Sequence, residues 1–253
     1  MFEKKLNFVV AGVQKAGTTT FDRILRYHPQ LQMASIKETH FFDNDKFDWQ
    51  NPNYAALERH FPARDERLRG ESTPITIFWR PAIRRLHAYN SNVKFILLLR
   101  NPIQRAFSNW RHEYASGREK LPFHDAIREK GRSRLRGEEK TSEIHRYFSY
   151  VERGFYAEQL TYLIQYFPSR NIHCVIFEEF FSDRAASLQR TAEFLGIEPF
   201  PSGIPEIWEY AAKDVHYPSQ LNSGDFDYLK SLFAADLESL QAILKRSIHT
   251  WTD

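Results

Sequence analysis

The stretch Gly12-Val13-Gln14-Lys15-Ala16-Gly17-Thr18-Thr19-Thr20 follows a short apolar run, residues 6–11, and precedes helical spacing at Phe21, Ile24 and Leu25. The expected order is a buried strand, a glycine-bounded turn and a helix. Gly12 and Gly17 have the G-x4-G spacing of a phosphate loop. Glycine lets such a loop turn tightly and brings backbone N–H groups against phosphate oxygens. The helix opening near Thr18 adds its N-terminal dipole and free N–H groups. Thr18, Thr19 and Thr20 add hydroxyl donors. In a Walker loop the lysine follows the second glycine. Here Thr18 stands there, and the lysine is Lys15, two residues before Gly17. The loop is expected to bind a phosphorylated nucleotide, and an ordinary ATPase or GTPase is disfavoured.

Beyond this helix, His28-Pro29 stops the pattern, and residues 31–36 form a second apolar stretch. Residues 54–61 read as a short helix, and residues 80–89 as a helix with Pro81 in its first turn. Residues 93–99 are a continuous apolar run, the mark of a central parallel strand. Pro102 opens a helix to about Ser116. Residues 156–167 read as an amphipathic helix, 172–177 as a buried strand, 185–195 as a helix closed by Gly196, and 226–244 as a long final helix. Residues 199–225, rich in Pro, Gly and Ser, read as a loop. Alternating strands and helices predict an α/β fold in one domain, residues 1–253, with a central, mostly parallel sheet flanked by helices.

The chain has 253 residues, 42% hydrophobic and 26% charged, which suits a globular domain with a real core. A formal charge of +3 is too small to argue for nucleic acid and fits an anionic small ligand. Cys174 is the single cysteine and is expected in the core of a strand. No apolar run approaches the roughly 20 residues of a membrane span, and no signal-peptide h-region opens the chain, so a cytoplasmic protein is expected. The ten His are scattered, so no metal site is expected. Arg128, Lys130, Arg132, Arg134, Arg136 and Lys140 make a basic stretch, either a solvated face or a docking face for an acidic acceptor. Trp49, Trp79, Trp110 and Tyr114 could stack on sugar rings or pack in the core.

The loop resembles the 5′-phosphosulfate loop of the sulfotransferases that use 3′-phosphoadenosine 5′-phosphosulfate (PAPS), and most of all the heparan-sulfate type and its bacterial relatives. Three further segments are similar in family order. Lys37-Glu38-Thr39-His40-Phe41-Phe42-Asp43 resembles that branch's K-E-x-H-F-F-D segment. Arg100-Asn101-Pro102 through Ser108 resembles the 3′-phosphate motif, and Arg153-Gly154-Phe155-Tyr156 with Gln159-Leu160 a later helix-opening segment. The resemblance implies that Lys15 holds the bridging oxygen and 5′-phosphate of PAPS, with Ala16, Gly17, Thr18, Thr19 and Thr20 around the same phosphate. It implies that Arg100 and Ser108 bind the 3′-phosphate, that Glu38 is the catalytic base, and that His40 and Asp43 lie near the acceptor. Two departures stand out. Ser72, in Glu71-Ser72-Thr73-Pro74, occupies the place of a lysine of the heparan-sulfate enzymes. Near the C-terminus only Lys213 survives of a Lys-Gly-Arg loop over the 3′-phosphate.

The implied reaction moves a sulfuryl group to a hydroxyl or amine of a saccharide, a saccharide-bearing natural product or another small molecule. Charge builds on the leaving phosphate, where Lys15 and the loop N–H groups would stand; such donors are typically worth roughly 3–4 kcal/mol each. Glu38 would take the acceptor proton, for on the order of 10²–10⁴-fold. Beside Phe41 and Phe42 its pKa is expected to rise through partial desolvation. The competing readings are a nucleotide or small-molecule kinase with an atypical phosphate loop and a non-catalytic binder of a 3′,5′-bisphosphate nucleotide.

Overall fold

The computed structural model describes residues 4–61, 65–205 and 216–251. In chain order the regular elements are β1 (Phe8–Gly12), α1 (Thr18–Leu25), β2 (Leu31–Met33), α2 (Ala55–Glu58), β3 (Leu68–Ser72), α3 (Arg80–Tyr89) and β4 (Lys94–Leu99). They continue with α4 (Pro102–Ala115), α5 (Phe123–Ala126), α6 (Glu129–Arg132), α7 (Glu143–Phe148), α8 (Tyr156–Ile164), β5 (Ile172–Ile176), α9 (Phe177–Ser182), α10 (Arg184–Leu195) and α11 (Ser223–Leu244). The chain divides into two compact units: Met1–Leu99 with Tyr162–Glu209, and Arg100–Thr161 with Tyr210–Asp253.

The first unit is built on a five-stranded sheet in the order β2-β3-β1-β4-β5, with every adjacent pair parallel. β1 and β4 are its central strands and its most apolar ones. All of β1 is buried, as is β4 from Phe95 to Leu99. A parallel strand covered on both faces needs side chains that tolerate burial on both, hence a continuous apolar run rather than alternation. The connection from β1 through α1 leads to β2 on one side, and β4 lies on the other side of β1. In such open sheets ligands bind beyond the carboxyl ends of the strands where the connections diverge, here the end of β1.

β3 has no apolar run to announce it. Its sequence is Leu-Arg-Gly-Glu-Ser, yet it is hydrogen-bonded between β2 and β1, pairing Val9 with Glu71 and Val10 with Ser72. Arg69 and Glu71 find hydrogen-bond partners outside the strand. Arg69 donates to the Lys4 carbonyl at 2.7 Å, and Gly70 leaves room for Phe8, whose ring would stand 2.1 Å from an added Cβ.

Other boundaries differ from the sequence reading. β2 ends at Met33, α2 covers only residues 55–58, and α8 stops at Ile164. α11 starts three residues earlier than its apolar spacing suggests because Asn222 caps it, accepting the Asp225 N–H at 2.8 Å. β5 is an edge strand, so Cys174 is half-buried rather than a core residue. α9 begins directly after β5, in a stretch to which the sequence assigned no element.

The second unit packs α4 and α11 around Ile103, Ala106, Trp110, Phe123, Tyr150, Leu229 and Phe233. Arg105 is wholly buried in it, donating to Asn109 Oδ1 at 3.2 Å and to the Tyr150 carbonyl, a structural role. Most cations of the basic stretch are paired within this unit: Arg128 with Asp225, Lys130 with Asp125, Arg132 with Glu152, Arg134 with Glu119 and Arg136 with Glu129. Trp79 and Trp110 are buried with their indole N–H groups bonded to Asp45 and the Leu121 carbonyl, so neither presents a face to a sugar.

Candidate functional site

In the first unit the phosphate loop runs from Gly12 to Gly17. Val13 N–H donates to the Leu98 carbonyl at 2.7 Å, fastening the loop to β4. The two glycines do different work. At Gly12 the issue is space: an added Cβ would lie 2.4 Å from Ile77 Cγ2. Gly17 has φ +77°, and a Cβ there would also stand 2.7 Å from the Phe177 ring. Gly17 is the N-cap of α1, with no side-chain cap and no acidic residue in the first turn. A helix N-terminus of this kind concentrates N–H donors and positive potential and suits an anion. Ala16, Thr18 and Thr20 are buried, and Lys15 and Thr19 half-buried. Lys15 has φ 73°, a conformation a β-carbon disfavours.

The second loop follows β2, and Glu38 N–H donates to the Ser72 carbonyl at 2.8 Å, at the carboxyl end of β3. Glu38 (φ 62°) and His40 (φ 48°) are both left-handed. Such residues persist only where surroundings over-determine them, and they cluster at functional sites. His40 Nδ1 lies 2.8 Å from Asp43 Oδ2, and its Nε2 lies 3.4 Å from Glu38 Oε2. Lys37 Nζ pairs with Glu38 Oε1. Asp43 is buried, while the His40 side chain is 47% exposed and can meet a substrate.

The electrostatics correct the expectation for Glu38. Burial pushes its carboxyl up, as the sequence reading supposed. The hydrogen bond from His40 and the charge and hydrogen bond of Lys37 outweigh burial and hold it at about 2. His40 is raised to about 9, first by its hydrogen bond to Asp43 and then by that to Glu38. The resting pair is therefore a carboxylate beside an imidazolium.

Glu71, unassigned by the sequence reading, faces the same loop. It is 1% exposed, and its Oε2 accepts from Thr73 Oγ1 at 2.7 Å and from Thr39 Oγ1 at 3.2 Å. Burial lifts its pKa to about 7 despite these bonds, and the charge of Asp43 adds to the rise. An acidic residue in an otherwise buried strand was the one sequence signal that could have found it.

In the second unit Arg100 follows the last residue of β4 and is half-buried, its carbonyl accepting from Tyr156 Oη at 2.8 Å. Asn101 caps α4, accepting the N–H groups of Ile103 (3.0 Å) and Gln104 (3.3 Å). Ser108 is half-buried two turns into that helix. Lys213 lies outside the described residues. Among the described residues no helix is long and apolar enough to cross a membrane.

The sulfotransferase domain model matches residues 6–217. Heparan sulfate glucosamine 3-O-sulfotransferase 6 of Homo sapiens is 32% identical over 190 residues, 75% of this chain and 52% of that protein. Heparan sulfate glucosamine 3-O-sulfotransferase 3B1 of Homo sapiens is 30% identical over 75% of this chain and 46% of its own length. The chain thus spans about half the length of these curated relatives. Among solved structures, a sulfotransferase from Alicyclobacillus acidocaldarius superposes with a TM-score of 0.80 at 24% identity, covering 99% of this chain and 100% of the other. That likeness speaks for the fold.

Proposed function

Since the chain belongs to the sulfotransferase domain family, we propose that it transfers a sulfuryl group from PAPS to a saccharide or saccharide-like acceptor, through the hydroxyl or amine of that acceptor. The observation that carries this reading is the placing of two loops at the carboxyl ends of one parallel sheet. One is an anion cradle with a lysine after β1, and the other holds a charged carboxylate against a histidine after β2.

The donor supplies an activated sulfuryl group whose bond to the 5′-phosphate breaks as a bond to the acceptor oxygen or nitrogen forms. The N-terminus of α1 and Lys15 suit the 5′-phosphate, because the first turn offers N–H donors and carries no acidic residue to repel it. Charge left on that phosphate is balanced where it develops. Arg100 and Ser108 are assigned to the 3′-phosphate, which an adenosine 5′-phosphate lacks.

Glu38 takes the acceptor proton. At about 2 it is ionised at neutral pH but a weak base. An acceptor hydroxyl that takes the place of Lys37 at Oε1 removes one of the influences lowering that pKa and makes the carboxylate more basic as the proton arrives. His40, fixed by Asp43, keeps the other oxygen oriented. The heparan sulfate in the relatives' names supports a saccharide acceptor, and Ser72 in place of lysine points to one that differs in charge or linkage.

The test is nucleotide preference followed by transfer. Adenosine 3′,5′-bisphosphate is expected to raise the melting temperature more than Mg-ATP; the reverse order would favour the kinase reading. Glu38→Gln is expected to keep bisphosphate binding and lose most turnover. Arg100→Ala is expected to weaken the bisphosphate far more than adenosine 5′-monophosphate, and equal losses would remove Arg100 from the 3′-phosphate.

A further inference from the structure

The transfer step leaves Glu71 unused, although a wholly buried carboxyl group is expensive and is retained only with partners. Its two partners come from different places. Thr73 lies two residues on, just past the end of β3. Thr39 lies on the loop after β2, between the two left-handed residues Glu38 and His40. A left-handed conformation is strained for a residue with a β-carbon and needs outside restraint. Two hydrogen bonds tie this part of the loop to β3: Glu38 N–H to the Ser72 carbonyl, and the Thr39 hydroxyl to Glu71. The backbone bond fixes one side of Thr39, and the side-chain bond fixes Thr39 itself. His40 then reaches Glu38 with Nε2 while Asp43 holds Nδ1.

We propose that Glu71 is a positioning residue for the base loop: through the Thr39 hydroxyl it holds Glu38 and His40 in the left-handed backbone that brings the imidazole against the carboxylate. The sulfotransferase reading enters only in what Glu38 then does; the positioning itself concerns the loop. A buried residue that merely filled space would be replaced by an apolar side chain of similar volume with no effect on His40. A positioning residue would not, because the acceptor for the Thr39 hydroxyl would be gone.

Four variants separate these cases. Thr39→Val and Glu71→Leu remove the bond from either end; Thr39→Ser and Glu71→Gln keep a donor and an acceptor. The first readout is the His40 titration by NMR. Glu38 and Asp43 contact that ring and hold it at about 9 in the wild type, and Glu71 acts on it through charge. Thr39→Val and Glu71→Leu are expected to lower it by about one unit or more, the size of a lost charged hydrogen bond. Thr39→Ser is expected to leave it near the wild-type value, and Glu71→Gln, which keeps the acceptor and loses only the charge, to lower it less than Glu71→Leu. The second readout is turnover. The valine and leucine variants are expected to lose about tenfold or more in kcat, while affinity for adenosine 3′,5′-bisphosphate stays within about twofold. A Thr39→Val protein whose His40 titrates as in the wild type overturns the proposal. Should Glu71→Leu fail to fold, Thr39→Val decides from the other end of the same bond. Failure of the functional reading looks different: wild-type protein that binds the bisphosphate and sulfates no acceptor refutes the transfer, while the His40 titrations still decide the positioning.

Discussion

Replacing Glu71 by glutamine removes a titrating proton from the middle of the sheet while keeping the side chain's shape and an acceptor oxygen. The folded carboxyl has its midpoint at about 7 against an ordinary 4.5, chiefly because of burial and secondarily because of Asp43; the hydroxyls of Thr73 and Thr39 and the charge of His40 pull the other way. Between those two values the folded state binds more protons than the unfolded state, so stability falls as pH rises, and the cost is complete above about 7. At about 1.4 kcal/mol per pH unit, a displacement of this size is worth on the order of 3 kcal/mol. Glutamine has no proton to lose. The stability of the wild type relative to Glu71→Gln should therefore fall by about that amount between pH 4 and pH 8, while titrations common to both proteins cancel. Urea unfolding of both across that range measures it. A difference flat with pH would mean that the Glu71 carboxyl is solvated in the folded chain, and the account of its burial would be wrong.

Other expectations follow from the same contacts. Gly17→Ala meets a left-handed φ, worth about 1–2 kcal/mol, and a clash with the Phe177 ring, worth about 1–3 more. Phe177→Leu in the same chain should recover the clash and leave the φ cost, and melting curves read both; full recovery would contradict the backbone term. Arg105→Ala should cost about 3 kcal/mol or more in urea unfolding, because the Tyr150 carbonyl loses its donor and a cavity opens. His40 is raised in the folded state, so its share of stability is present below 6.5 and lost as pH climbs through about 9. His40→Gln should flatten that alkaline loss, and a wild type with no alkaline loss would count against the Asp43–His40–Glu38 chain. The same variant should move the Glu38 titration up from about 2, since the His40 hydrogen bond leads the influences that lower it.

The charge state of Glu38 shows why local sequence can mislead. Its neighbours Phe41 and Phe42 are buried, as expected, and burial does push the carboxyl up. The sign of the net shift is set by Lys37 and His40, whose positions depend on left-handed turns that the order of residues does not reveal. A carboxylate that rests ionised and paired must be freed by its acceptor before it becomes a useful base.

By itself the sequence determined the features that depend on short-range spacing. The apolar runs of β1 and β4, the glycines around Lys15 and the proline opening α4 read correctly because each is a local constraint on backbone or burial. Tertiary structure alone decided β3, whose Arg69, Gly70, Glu71 and Ser72 carry no strand signal; Arg69 and Gly70 are accommodated by Lys4 and Phe8, far away in the chain. It also decided that Gly12 is glycine because Ile77 leaves no room, and that Thr39 meets Glu71 across 32 positions of chain. Spacing along the chain can show where a strand or a phosphate turn begins. Which buried charge faces which hydroxyl is settled only when separate segments pack, because the cost of burial is met by groups the chain brings from elsewhere.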